Sequence, residues 1–203
     1  MEEEYGRCDI LVNNAGFAFK ASDPTPFKEQ VESTLKTNFF DTVALTEKML
    51  PLIRKSPAGR IVNVASTMGQ LSILKSRELR ETFTSLVLTK PDLQLLMRKF
   101  VDDVKSGQHE AVGWPSTCYG VSKLGLIAYT VIAARMEAGS SVLVNSCCPG
   151  YCDTDMSSHQ GHLSPEEGAR TPFMLTQMKD FAKEAVTGGI SGGFFQGEAL
   201  SRW

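Results

Sequence analysis

Tyr119-Gly120-Val121-Ser122-Lys123 opens a run of helical periodicity just after the turn Gly113-Trp114-Pro115-Ser116. Tyrosine and lysine at this spacing project from one helical face, so an ammonium group is expected beside a phenol. In a partly buried site a cation about 4 Å away favours the phenolate by up to about 4 kcal/mol. A phenol that ordinarily titrates near pH 10 is thereby drawn toward neutrality. Such a group can hand a proton to a developing alkoxide and take it back in reverse, which is what carbonyl reduction and alcohol oxidation require. On a solvated helix face the same pair would do nothing, so its meaning depends on what surrounds it.

Downstream, the helix that carries the pair is expected to run to about Glu137 and stop at Gly139. Val142 to Cys147 then reads as a buried strand. Upstream, Asp9 to Val12 and Arg60 to Val64 are two further apolar runs of strand length. The first ends in Asn13-Asn14-Ala15-Gly16, a sharp turn whose small residues let a ligand approach the backbone. The second ends in Ala65-Ser66-Thr67-Met68-Gly69. Between them Phe27 to about Lys55 has helical periodicity, with Pro51 as a kink or break and Asn38 as a polar residue beside Phe39 and Phe40. Leu71 to Val112 is polar, with helical pieces around Arg77–Phe83 and Pro91–Lys105, and residues 71–113 read as a helical insertion. Ser116 is the expected cap of the Tyr119 helix. After Pro149-Gly150-Tyr151-Cys152-Asp153-Thr154, Ser164-Pro165-Glu166-Glu167 is a capping box that should start a helix ending near Met178. Phe194-Phe195 reads as a short last strand, the glycines at 188–193 leaving too little chain after them for a phosphate loop. The alternation predicts an α/β fold, a doubly wound Rossmann-like parallel sheet with helices on both faces, in one domain over residues 1–203. Asn14, Ser66 and Pro149 all follow strand C-termini, the edge where such sheets bind ligands.

Composition narrows the partners. The 203 residues are 42% hydrophobic, and 21 Lys and Arg stand against 23 Asp and Glu with no basic cluster, which disfavours a nucleic-acid or membrane surface and favours a small molecule. The acidic start Met1-Glu2-Glu3-Glu4-Tyr5 is unlike a signal or transit peptide, so the expected compartment is the cytoplasm. The five cysteines lack a framework spacing and suit reduced thiols. Cys148, Cys152, His159 and His162 offer four zinc-ligating types, but the pairs lie too close together for a zinc finger. They read as buried thiols and loop histidines, with no metal.

Taken together, Asn13-Asn14-Ala15-Gly16, Asn38, Ser66, the Tyr119/Lys123 pair and Pro149-Gly150 resemble the short-chain dehydrogenase/reductase family. Thr37-Asn38-Phe39-Phe40, Gly113-Trp114-Pro115-Ser116, Cys147-Cys148-Pro149-Gly150 and the terminal Trp203 look like its branch of monomeric NADPH-dependent carbonyl reductases. The resemblance implies NADPH as hydride source, Tyr119 as proton donor, and Lys123 as the group that lowers its pKa and bonds the nicotinamide ribose. It implies that Ser66 bonds the substrate carbonyl and that Asn38 positions a water in the proton relay. Asn14, Ala15 and Gly16 would line the cofactor, with Pro149, Gly150 and Thr154 over the nicotinamide and Tyr151 toward substrate. Substrates would be aldehydes, ketones or quinones, and the segment before Tyr119 would cover the helices other members use to oligomerise, giving a monomer.

The family's first strand, glycine-rich turn and helix have no counterpart among the eight residues before Asp9; that half needs roughly 60 residues. The sheet is therefore expected to be truncated at its N-terminal side, with the strand at Ile10 left as an exposed edge open to self-association. Two functions follow: a carbonyl reductase, or a shortened non-catalytic form acting through protein contacts at that edge. A sugar-nucleotide epimerase shares the Tyr and Lys pair but would need a larger C-terminal domain.

Overall fold

The computed structural model describes residues 5–178 and 189–203. Met1 to Glu4 of the acidic start and Gly188 of the glycine run lie outside the described residues. Within them the expected alternation appears as strand β1 (Ile10–Asn13), helix α1 (Phe27–Leu35), a π-helical turn (Lys36–Asp41) and α2 (Thr42–Ile53). Next come β2 (Arg60–Val64), 3-10 turns at Thr67–Gly69 and Leu71–Ile73, α3 (Arg77–Thr84) and α4 (Lys90–Lys105). Then follow α5 (Cys118–Met136), β3 (Leu143–Cys148), α6 (Pro165–Gln177), β4 (Phe194–Gln196) and β5 (Ala199–Ser201).

The sheet runs in the order β1-β2-β3-β4-β5, parallel from β1 to β4. Every residue of β2 and β3 is buried, because helices cover both faces. Ile61, Val144, Cys148 and Phe194 join the larger core with α2 and α5, while Val62, Val64, Cys147 and Phe195 pack with Leu175 of α6 on the opposite face. β1 has β2 as its one described neighbour, and Ile10 and Val12 remain 43% and 41% exposed, as expected of an edge. Its register partner Asn63 accepts from Asn13 Nδ2 at 2.8 Å and donates to Thr130 of α5 at 2.8 Å, a buried polar link from sheet to helix.

Several local readings are corrected. Pro51 does not break α2, which continues through it to Ile53. The long helix is interrupted earlier, by the π turn that buries Asn38. Thr117, not Ser116, caps α5 by accepting from Gly120 N at 3.0 Å, and the Ser116 hydroxyl instead donates to Glu110 at 2.6 Å. β5 was not expected: Gly197 and Glu198, both with positive φ (55° and 66°), make a two-residue hairpin that returns Ala199–Ser201 antiparallel to β4.

α4 lies against α1 and α5. Lys105 pairs with Glu32 of α1 at 2.6 Å, Lys90 pairs with Glu47 of α2, and Trp114, fully buried, donates to Asp103 at 3.0 Å between the rings of Phe83 and Phe100. Sandwiched between this layer and the sheet, α5 is buried on nearly every side, which is why its sequence is apolar all round.

Candidate active site

The site is assembled where the turn after β2 meets the first turn of α5. Two glycines allow the approach. A β-carbon on Gly69 would lie 2.6 Å from Leu124 N and 2.6 Å from the Lys123 carbonyl carbon, and one on Gly120 would lie 2.9 Å from the Met68 carbonyl oxygen. With neither side chain present, backbone packs on backbone. Ser66, extended and capping the 3-10 turn through Met68 N at 3.1 Å, is thereby brought to face the Tyr119 phenol. These two glycines sit in stretches noted for other residues, and nothing local marks their role.

Lys123 is 4% exposed and reaches under Tyr119, its Nζ 5.5 Å from the ring centroid. It donates to the Val64 carbonyl at the end of β2, at 2.8 Å. The electrostatics differ from the sequence expectation. Burial pushes the Tyr119 phenol above its usual value, the Ser66 hydroxyl opposing the rise and the Cys148 thiol adding to it. The Lys123 ammonium is turned to the Val64 carbonyl. Burial in turn draws the Lys123 amine down to about 8, against the opposing pull of Cys147 and Cys148.

Asn38 is fully buried and joins two segments. Its carbonyl accepts from Phe17 N at 2.9 Å, and its Nδ2 donates to Phe17 O at 2.8 Å and to Ser122 Oγ at 3.1 Å. Ser122 then donates to the Tyr119 carbonyl at 2.7 Å. The result is a continuous chain from the loop after β1 to the first turn of α5, with Ser122 a link that sequence reasoning passed over. A β-carbon on Gly16 would meet Asn38 Oδ1 at 3.1 Å and Lys123 Nζ at 3.4 Å, so this loop lies directly on the lysine. Asn14 and Ala15 are exposed beside it.

Pro149 and Gly150 (φ 91°) carry the chain out of β3 on the same sheet edge, and Cys148 Sγ approaches the Thr67 hydroxyl at 3.8 Å. Tyr151 is half exposed, its ring near His162, and Thr154 is partly buried. The four zinc-type residues do not converge. His159 contacts Asp153 and Asp155, and Cys152 turns back to Pro149 O at 3.6 Å. Among the described residues no group of His, Cys, Asp and Glu is placed to hold a metal ion, and no helix is long and apolar enough to cross a membrane.

Comparison with known proteins identifies the family. Residues 1–76 match the sequence pattern of the short chain dehydrogenases. The chain is 44% identical over 208 positions to carbonyl reductase [NADPH] 1 of Bos taurus, spanning all of this chain and 73% of that protein. It is 46% identical over 189 positions to carbonyl reductase [NADPH] 3 of Mus musculus, covering 91% of this chain and 68% of that protein. Among solved structures, salutaridine reductase of Papaver somniferum superposes with a TM-score of 0.84 at 28% identity, covering 96% of this chain and 74% of that one. Identity at this level along the whole chain, on a parallel sheet with these residues gathered at its edge, makes the chain a member of the short-chain dehydrogenase family.

Proposed function

We propose that the chain reduces carbonyl compounds (aldehydes, ketones or quinones) with NADPH, using Tyr119 as the acid. The observation that carries this reading is the convergence of Tyr119, Ser66 and a buried Lys123 amine at one sheet edge. The relatives named for NADPH support the choice of cofactor.

The residues present fit the nicotinamide and ribose half of that cofactor. Lys123 offers an amine within reach of the glycine loop, so that ribose hydroxyls would take the place of the Val64 carbonyl as its partners. Asn14, Ala15 and Gly16 would line the cofactor on one side, with Pro149, Gly150 and Thr154 over it. Among the described residues no glycine-rich turn follows a strand beside β1, so none is assigned to the pyrophosphate. When bound, the cofactor supplies the hydride.

This chain's part is the proton. Burial keeps the Tyr119 phenol protonated until substrate oxygen gains charge. Ser66 and Tyr119 then both donate to that oxygen, and the proton passes from the phenol. The ammonium of Lys123 steadies the phenolate left behind, which turns the expected lowering of the Tyr119 pKa into a property of the loaded site. Asn38 commits its side-chain N–H groups to Phe17 and Ser122, so any relay water falls to its main-chain carbonyl. Tyr151, exposed at the rim, contacts substrate.

A layer made by α4 and the rest of residues 71–113 over α1 and α5 leaves these helices unavailable for a partner copy, and the proposed state is a monomer. The exposed edge of β1 favours a second reading, a chain acting through contacts at that strand. Titrating the purified chain with NADPH by fluorescence separates the two: saturable binding supports the reductase, and its absence supports the edge. Sedimentation of the same sample reads the oligomeric state.

A further inference from the structure

The loop between β3 and α6 contains an unusual ring. His159 Nδ1 lies 2.7 Å from Asp153 Oδ1 and its Nε2 lies 3.1 Å from Asp155 Oδ1, so one imidazole bridges the two neighbours of Thr154. Ionised carboxylates only accept, and a neutral imidazole has one N–H. Both contacts are hydrogen bonds only when the ring is an imidazolium.

The backbone closes on the same residue. His159 N donates to Thr154 O at 3.0 Å and Ser157 N donates to it at 3.1 Å. Ser158 and His159 hold left-handed conformations, φ 54° and 59°, that residues with a β-carbon adopt at some cost. At the base of the loop Asp153 N donates to Leu163 O at 2.8 Å and His162 N to Tyr151 O at 3.0 Å.

We propose that His159 is a positioning residue: protonated, it ties Asp153 to Asp155 and fixes Thr154 and the loop around it, and deprotonation releases them. That this loop covers the cofactor rests on the function proposed above. Asp153 and Asp155 are the charged groups that face the ring, and none from another described element contributes. Their hydrogen bonds, Asp153 first, raise the His159 pKa above the usual value of 6.5. A raised folded-state value means that the clamp is fully present below the unfolded pKa and is lost as pH rises through the folded one. The cluster is solvent-exposed, so the effect is modest, about two- to fivefold in loop opening.

The test is histidine-resolved NMR titration with amide hydrogen exchange across residues 151–163, normalised for intrinsic rates, in wild type, His159→Gln and Asp155→Asn. Loop protection in wild type should fall about two- to fivefold with rising pH, at the midpoint of the His159 titration itself, and should be flat in His159→Gln. Asp155→Asn should lower that midpoint. Protection independent of pH in wild type, or an unshifted His159, overturns the proposal. If the clamp titrates and NADPH does not bind, the proposed function fails and the clamp stands; binding with a pH-independent loop gives the reverse.

Discussion

Replacing Gly69 with alanine places a methyl group where the structure has none to spare. The new β-carbon would sit 2.6 Å from Leu124 N, 2.6 Å from the Lys123 carbonyl carbon and 2.9 Å from Lys123 Cβ. The first two are backbone atoms of a buried helix and cannot swing aside. Relief requires the Thr67–Gly69 turn to lift off α5, which draws Ser66 from Tyr119. Overpacking of this kind costs about 1–3 kcal/mol; because backbone must move, the upper half of that range is expected. In a chain of this size about 2 kcal/mol lowers the melting temperature by about 4–8 °C. Urea unfolding and thermal melts would measure it. Gly107→Ala is the control, since a β-carbon there meets nothing within 4 Å, although its φ, unlike that of Gly69, is positive (75°). It should lose about 1 kcal/mol from backbone strain alone. If Gly69→Ala unfolds within about 0.5 kcal/mol of wild type, the reasoning that close packing of these backbones assembles the site is wrong.

Other consequences follow from single residues. With a folded-state value of about 8 against 10.5, Lys123 binds fewer protons folded than unfolded between those limits, so wild type should gain stability relative to Lys123→Met as pH rises through that window, by up to about 3 kcal/mol; a flat or falling difference would refute its burial as a cation. Thr117→Ala should cost about 1 kcal/mol in unfolding free energy, and Ser116→Ala less, because Thr117 makes the cap bond; equal losses would return the cap to Ser116. Asn63→Ala should cost about 2–4 kcal/mol, since it leaves Asn13 and Thr130 buried without their partner; a loss under about 1 kcal/mol would show that water replaces it.

The sheet was legible because strands buried on both faces are short continuous apolar runs, and Arg60–Val64 and Leu143–Cys148 read as such to within a residue or two. The candidate site residues were picked out through their place just beyond those runs. What escaped was decided across the fold. Thr117 and Ser116 are both hydroxyl residues, and only the helix start selects between them. The π turn at Lys36–Asp41 carries no local signal; it is drawn by Asn38 bonding Phe17 and Ser122, distant in sequence. β5 is three residues long and owes its pairing to Gly197 and Glu198. For Tyr119, spacing places Lys123 on the correct face, but burial of the phenol and the bond from the Lys123 ammonium to the Val64 carbonyl are set by the fold.

The central claim is that Tyr119 is the acid of an NADPH-dependent carbonyl reduction. Its most direct test is the rate of NADPH oxidation with a quinone or aldehyde, compared between wild type and Tyr119→Phe, a substitution that keeps the ring and removes only the hydroxyl. The account expects turnover in wild type and a loss of about 10²–10⁴-fold in the variant, at unchanged NADPH affinity. Equal rates in the two proteins, or no substrate-dependent oxidation in either, would contradict it.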